Sequence, residues 1–258
     1  LGMLPLKTVQ VETVEDQWVY VSGTTVGLYM ETQGVLIVDT GEITNQSGVP
    51  QEPAANIVQP GDYILEVNGK AVSRKRELIA EIENCQGEDV ELLVNRKGEK
   101  IPLSLAPVLT QEEEYKLGIW VRDNTQGIGT MTYVDEEGKF GALGHGISDT
   151  DTGQLLDVSG GELYQAQIVS IIRGTQGVPG ELSGYIEYDE EKKIGVIEKN
   201  TDIGIFGQIF PGTQLAKEKV MIGYKQEVKE GKAQLLMESE GKTEKYDIEI
   251  TEIYGSQQ

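Results

Sequence analysis

QPGDYILEVNGKAV, residues Gln59 to Val72, is the stretch from which the fold of this 258-residue chain is read. Pro60 and Gly61 make a turn, Ile64, Leu65 and Val67 supply a buried strand, and Asn68–Gly69 is the strongest two-residue hairpin signal in sequence. Downstream, Ser73 stands as an N-cap before RKRELIAEIENC, in which Leu78, Ile79 and Ile82 fall on one helical face. Cys85 closes that helix as a small apolar residue. DVELLVNRKGEKIPLSLAPV then turns at Lys97–Gly98 into a strand pair. Upstream, residues 41–54 read as a loop, and WVYVSG, TTVGLYM and GVLIVDT as β-rich runs separated by glycine-bearing breaks. Residues 1–15 alternate weakly and read as an N-terminal arm.

Composition bounds what this chain can do. Thirty-two glycines with recurrent Val/Ile/Tyr runs point to turns and strands, so the bulk is expected to be β. A formal net charge of −21 repels phosphate backbones and anionic lipid, which argues against nucleic acid as a partner. One histidine and one cysteine cannot build a zinc site of the usual donor set, and one cysteine forms no internal disulfide. No metal and no small-molecule cofactor is expected. No window approaches the roughly 18 apolar residues of a membrane-spanning helix, and no signal-peptide pattern opens the chain. The chain starts at Leu1, so a removed leader or anchor is compatible with it.

Pro107 and the acidic run from Gln111 to Glu114 mark a boundary, because a proline followed by like charges resists regular packing. Beyond it, short strands alternate with turn signals such as Asp123–Asn124, Glu137–Gly138 and Asp189–Glu191, a spacing that suggests a barrel or sandwich. No helix of convincing length follows Asn84. Within this region GALGHGISDTDTG, residues Gly141 to Gly153, holds the only histidine, His145. Histidine is the side chain whose unperturbed pKa lies near neutrality, so His145 is the first candidate for proton transfer. Asp149 and Asp151 sit too near it in sequence to orient its ring, and read as turn formers that bond nearby backbone. A calcium reading of SDTDTG lacks the full EF-hand spacing. DVSGG, with Asp157 and Ser159, imitates the GDSGG box of chymotrypsin-like enzymes. It follows His145 closely in sequence and reads as a polar turn before the strand YQAQIVSII.

Two resemblances organise these observations. Around QPGDYILEVNGKAV the chain resembles a PDZ domain, covering residues 16–108. PDZ domains capture an extended peptide as an added strand. That resemblance puts the peptide-binding loop at Thr25, Val26, Gly27 and Leu28, although the loop's last position lacks the usual bulky residue. The motifs GIWVRD, GIGTMTY, FGALGHGISDTDTG, IVSIIRGTQGVPGE, IGVIEKNTDIGIFG and EVKEGKAQLLM, in that order, resemble the sporulation stage IV B serine peptidase family over residues 111–258.

The fold implied is mainly β, a PDZ-like domain followed by a chymotrypsin-like double β-barrel. His145 takes the position of the family's general base. A family member is expected to be secreted across the forespore membrane into the intermembrane space, to cleave itself, and to cleave a membrane-anchored regulatory protein. That cleavage triggers processing of a sigma-factor precursor. The family's serine, in a GMSGSP-like motif, and its triad aspartate have no counterpart here. The domain is therefore expected to be C-terminally truncated and the chain inactive. Other readings are a non-catalytic PDZ-type peptide-binding module and a processed fragment.

Overall fold

In the computed structural model the described residues are 16–178, 180–213, 218–239 and 241–254; the expected arm at residues 1–15 lies outside them. The strands used below are β1 (Trp18–Val21), β2 (Thr25–Thr40), β3 (Tyr63–Val67), β4 (Val90–Arg96), β5 (Glu99–Leu105), β6 (Ile119–Val134), β7 (Lys139–Ala142), β8 (Val158–Ile172), β9 (Glu181–Ile186), β10 (Lys193–Thr201), β11 (Gly204–Ile209), β12 (Glu218–Met221), β13 (Gly231–Ser239) and β14 (Lys242–Ile250). A single α-helix among the described residues, α1, spans Lys75–Asn84. The chain is mainly β, a PDZ unit joined to a chymotrypsin-like barrel unit.

The barrel closes through six antiparallel strands in the order β2–β6–β7–β11–β10–β8, with β8 returning to β2. Alternate residues point inward along a strand, and Val26, Leu28 and Met30 of β2 meet Met131, Phe140, Leu163, Ile197 and Ile205 in the barrel core. Closure removes the exposed edges that an open sheet would leave. Outside the ring, β1 pairs β6 and β12, β9 pairs β8, and β13 pairs β14.

The PDZ unit is a sheet of the second half of β2 with β3, β4 and β5, covered by α1. Leu78 and Ile82 of α1 pack onto Val35, Ile37, Ile64, Val67, Val90, Leu92 and Val94, while Ile79 stays 47% exposed. The start of the helix is held by Glu77, whose carboxylate accepts from the backbone N–H groups of Ser73 (2.9 Å) and Arg74 (3.1 Å). Those bonds hold its pKa below the usual carboxylate value. The N-cap is Arg74, one residue beyond the Ser73 that the sequence suggests. Asp62 of the opening stretch is buried and receives a two-pronged contact from Arg96, Nε to Oδ1 at 2.8 Å and Nη2 to Oδ2 at 2.7 Å. This pairing raises the Arg96 pKa further above its ordinary value.

The two units share strands rather than meeting at a linker. The glycine that looked like a break, Gly34, lies inside the continuous sixteen-residue strand β2 with φ +96°. A left-handed residue of this kind makes a bulge and bends the strand. Inward positions accordingly switch from even numbers in the barrel (Val26, Leu28, Met30) to odd numbers in the PDZ core (Val35, Ile37). Across from this bend, β6 slips register between Arg122 and Asn124. The acidic run after Pro107 folds into a tight turn joining Val108–Leu109 to Tyr115–Lys116. The chain then re-enters the PDZ sheet, because Ile119–Arg122 pair with Thr40–Leu36 before β6 continues into the barrel.

Candidate functional site

His145 lies on the loop from β7 to β8, at the rim of the barrel and exposed. Three sets of contacts hold that loop. At its start, the Leu143 N–H donates to the Thr130 carbonyl at 3.0 Å, and Leu143 and Gly144 both adopt positive φ, turning the chain outward. At its middle, Gly146 is pressed against the β10–β11 turn: a Cβ there would stand 2.3 Å from the Thr201 carbonyl oxygen. Asn200 of β10 then binds both arms of the loop. Its Oδ1 accepts from the Ile147 N–H at 2.9 Å, and its Nδ2 donates to the carbonyls of Ile147 (2.8 Å) and Leu156 (2.9 Å).

The far end of the loop is built on Asp149, whose side chain is fully buried. Its Oδ1 accepts from the N–H groups of Asp151 (3.0 Å) and Thr152 (2.8 Å), the turn-forming role expected from sequence. Its Oδ2 has no hydrogen bond of good geometry, yet lies 2.8 Å from Nη1 of Arg122 on β6. A buried carboxyl group needs such a partner, and Arg122 supplies it. The second Arg122 nitrogen reaches Asp151 Oδ2 at 2.7 Å. The PDZ unit supports the loop from the other side. Leu36 and Tyr63 pack on Leu156, and the Tyr63 hydroxyl accepts from the Asp157 N–H at 3.0 Å.

The imidazole itself makes one hydrogen bond among the described residues, between Nδ1 and the Gly146 carbonyl at 2.9 Å. A carbonyl only accepts, so this contact selects the tautomer with the proton on Nδ1. In the neutral ring so arranged Nε2 carries the lone pair, and it makes no hydrogen bond among the described residues. No serine hydroxyl and no carboxylate is bonded to it among the described residues. Ser159 of DVSGG lies on β8 with its hydroxyl turned to the backbone carbonyls of Glu31 (3.3 Å) and Thr32 (3.4 Å). It is a strand residue tied to β2, so the box is the start of a strand and not the polar turn its sequence suggests.

The peptide-loop assignment is corrected. Thr25, Val26, Gly27 and Leu28 form no loop: they open β2 inside the barrel, opposite Thr130, Gly129, Ile128 and Gly127 of β6. On the other edge Val26, Gly27 and Leu28 face Gln165, Tyr164 and Leu163 of β8, while the Thr25 N–H donates to Glu238 Oε2 at 2.6 Å. With both edges occupied, this segment has no backbone groups left for an added strand.

A groove suited to an added strand exists elsewhere. Between α1 and the Tyr115–Val121 segment lies a cavity of about 620 Å³ lined by Ile43, Leu78, Ile79, Ile82, Leu117 and Trp120, among others. Along Ile119–Arg122, β2 takes one edge of β6 and α1 faces the other side. Gly118 has φ +66°, and its carbonyl accepts from the Gly41 N–H at 2.8 Å, so the chain turns sharply into the strand at Lys116–Ile119. Asp123 closes one end, its carboxylate accepting from the Lys75 N–H at 2.7 Å. Sequence reading missed these residues. Their signal, an apolar residue and glycine opening the strand in YKLGIWV, lies beyond the boundary that Pro107 and the acidic run suggest.

Among the described residues no three His, Cys, Asp or Glu side chains converge as a metal site, and no helix is long and apolar enough to cross a membrane.

Comparison with known proteins bears on both units. The family model for the SpoIVB peptidase S55 matches residues 113–258, and a PDZ domain model matches residues 46–96. Among curated proteins, the chain is 33% identical over 66 residues to the "Pro-apoptotic serine protease NMA111" of Ajellomyces capsulatus (strain NAm1 / WU24). The matched stretch is 26% of this chain and 6% of that protein, so the chain spans only a small part of that relative's length.

Proposed function

This chain belongs to the SpoIVB peptidase S55 family, and from that premise we propose that it is the base-bearing part of a serine endopeptidase, with His145 as the general base. The observation that carries this reading is the hold on the imidazole. Its loop is clamped by Asn200 and Asp149, its Nδ1 is hydrogen-bonded to the Gly146 carbonyl, and the residue is exposed at the barrel rim.

In acyl transfer such a base takes the proton from a serine hydroxyl as the oxygen attacks a peptide carbonyl, then returns it to the leaving amine. Water regenerates the enzyme from the acyl intermediate with the same base acting again. The Gly146 carbonyl does for Nδ1 what a triad carboxylate does elsewhere, fixing ring and tautomer, but supplies no negative charge to steady the imidazolium. The described residues bring no nucleophile to Nε2. The chain by itself is therefore proposed to be inert, and a fluorophosphonate probe that labelled Ser159, or any serine whose labelling His145→Ala abolishes, would overturn that proposal.

The biological setting proposed is that of the family. The enzyme would be secreted from the forespore into the intermembrane space, would cleave itself, and would cleave a membrane-anchored regulator upstream of sigma-factor processing. The test is processing of such a regulator by a serine-bearing version of the chain, which His145→Ala must abolish. Processing that survives the substitution sinks the assignment.

A second reading is favoured by one observation, the α1 groove. Peptide capture there would add a strand to β6 at Ile119–Arg122, with apolar side chains set against Ile79 and Ile82. Trp120, 67% exposed at the groove mouth, reports it. In a Trp18→Phe background, emission should respond to a library of extended peptides, and Ile79→Asp should remove the response.

A further inference from the structure

Three consecutive residues of β6 serve three parts of the molecule. Val121 lines the α1 groove, Arg122 holds Asp149 and Asp151 of the His145 loop, and Asp123 accepts the Lys75 N–H at the first turn of α1. The register slip between Arg122 and Asn124 makes this possible, since a bulge re-aims neighbouring side chains away from strict alternation. We propose that Arg122 is a positioning residue that couples the α1 groove to the loop carrying His145, so that a change in the groove alters how firmly the loop is held. The link to catalysis rests on the reading of His145 as base and of the groove as a peptide site; the coupling itself needs neither.

The physical basis is a contact with two distinct states. With Arg122 in place, Asp149 is a fully buried carboxylate with a cation at 2.8 Å and two backbone donors. If Arg122 withdraws, the buried Asp149 side chain is left with its backbone donors alone, which favours opening of the loop to hydrate it. Arg122 has little freedom to move independently, because its chain neighbours form the groove wall and the helix anchor. A strand added beside Val121, or a shift of α1 at Asp123, reaches the Arg122 backbone through one peptide bond, and the side chain fixed on Asp149 and Asp151 carries it to the loop. One alternative carrier exists, the packing of Leu36 and Tyr63 on Leu156 with the Tyr63–Asp157 bond. The experiment must separate the two.

The molecule supplies a single-copy probe at the loop and, once Trp18 is replaced, another at the groove. His145 is the sole histidine and gives one imidazole NMR signal, while Trp120 is the sole indole in a Trp18→Phe background. Asp123→Ala, which releases the groove end, should speed hydrogen exchange of the Thr152 and Gly153 amides by about fivefold or more and shift the His145 signal. In the other direction, Asp151→Asn and the stronger Asp149→Asn should shift Trp120 emission and speed exchange at Lys75. Coupling is reciprocal, so both directions must respond.

In an Arg122→Gln background these cross effects should vanish while the local effect of each substitution remains. Should that variant fail to fold, Arg122→Lys, which keeps the charge but not the fork, should weaken the cross effects severalfold. Cross effects that persist without Arg122 would assign the coupling to the Tyr63 contact and overturn the proposal. So would their absence from the otherwise native chain. An inactive His145 or a groove that binds no peptide would leave these readouts unmoved, so failure of either functional reading is distinguishable from failure of this one.

Discussion

Replacing Asn200 by alanine removes three hydrogen bonds to the His145 loop without touching the histidine. The Ile147 carbonyl keeps its bond from the Leu156 N–H at 3.0 Å, so two backbone groups lose a partner: the Ile147 N–H and the Leu156 carbonyl. Stranding a buried polar group costs about 1–3 kcal/mol. For two groups at a partly buried site the sum is about 2–4 kcal/mol of loop stability, or roughly 30- to 1000-fold in the opening equilibrium. Amide exchange at Ile147 should accelerate by that factor. Spread over the whole unit, the same loss would lower Tm by about 5–15 °C at ~2–4 °C per kcal/mol. Asn200→Asp is the sharper comparison. It keeps an acceptor for the Ile147 N–H but turns a carboxylate oxygen toward two carbonyls, so at neutral pH it should be at least as damaging as alanine. Native-like protection of Ile147 in Asn200→Asp would refute the clamp, because the amide would then not be donating to the loop.

Other expectations follow from individual contacts. Arg96→Ala should destabilise the PDZ unit by about 3–5 kcal/mol, since it leaves the Asp62 carboxylate, 1% exposed, without its cation; urea unfolding measures this, and adding Asp62→Asn should recover part of the loss. Gly146→Ala should displace the His145 loop, because its Cβ would fall 2.3 Å from both the Thr201 oxygen and Leu155 Cδ1; an unchanged His145 NMR signal would contradict that. Gly27→Val should loosen the β8–β9 ribbon, where Ile186 Cγ2 stands 2.5 Å from the new Cβ, and leave the α1 groove intact. Trp120 emission and limited proteolysis near residue 186 separate the two effects.

A pH effect follows from Glu162, whose pKa is lowered by its hydrogen bonds from Lys193 and Tyr164. A carboxylate depressed in the folded state stabilises fully above its unfolded pKa, about 4.3. That contribution is lost as pH falls through the lower folded value. Acid unfolding of the native chain should therefore show a loss below about pH 4.3 that is smaller in Lys193→Met.

How much of this was legible in sequence depended on the range of the signal. The turn at Pro60–Gly61, the hairpin at Asn68–Gly69, the helix ending at Cys85 and the Asp149 turn are local. Each follows from the backbone preferences of a few adjacent residues, and the structure has them where the residues say. His145 stands out in the sequence because it is the sole histidine. The distant residues that hold its loop do not stand out. Asn200 lies 53 positions from Ile147, and Arg122 lies 29 positions from Asp151; an asparagine or arginine in a β-run carries no local mark of what it will touch.

The tertiary structure also decided what the sequence left ambiguous in its strands. TTVGLYMETQGVLIVDT has the same alternation whether its glycines end strands or bend one, and only the pairing partners select the second. Once β6 and β8 take both edges of Thr25–Leu28, that segment becomes barrel wall. The open edge passes to Ile119–Arg122, beyond the apparent boundary. The sequence by itself determined a β-rich chain of two kinds of unit and a lone histidine on a turn, because composition, turn chemistry and side-chain type are local properties. Which edge stays open, and which distant side chains clamp the histidine's loop, belong to the tertiary structure, because strand pairing and buried charge are satisfied only between segments far apart in the chain.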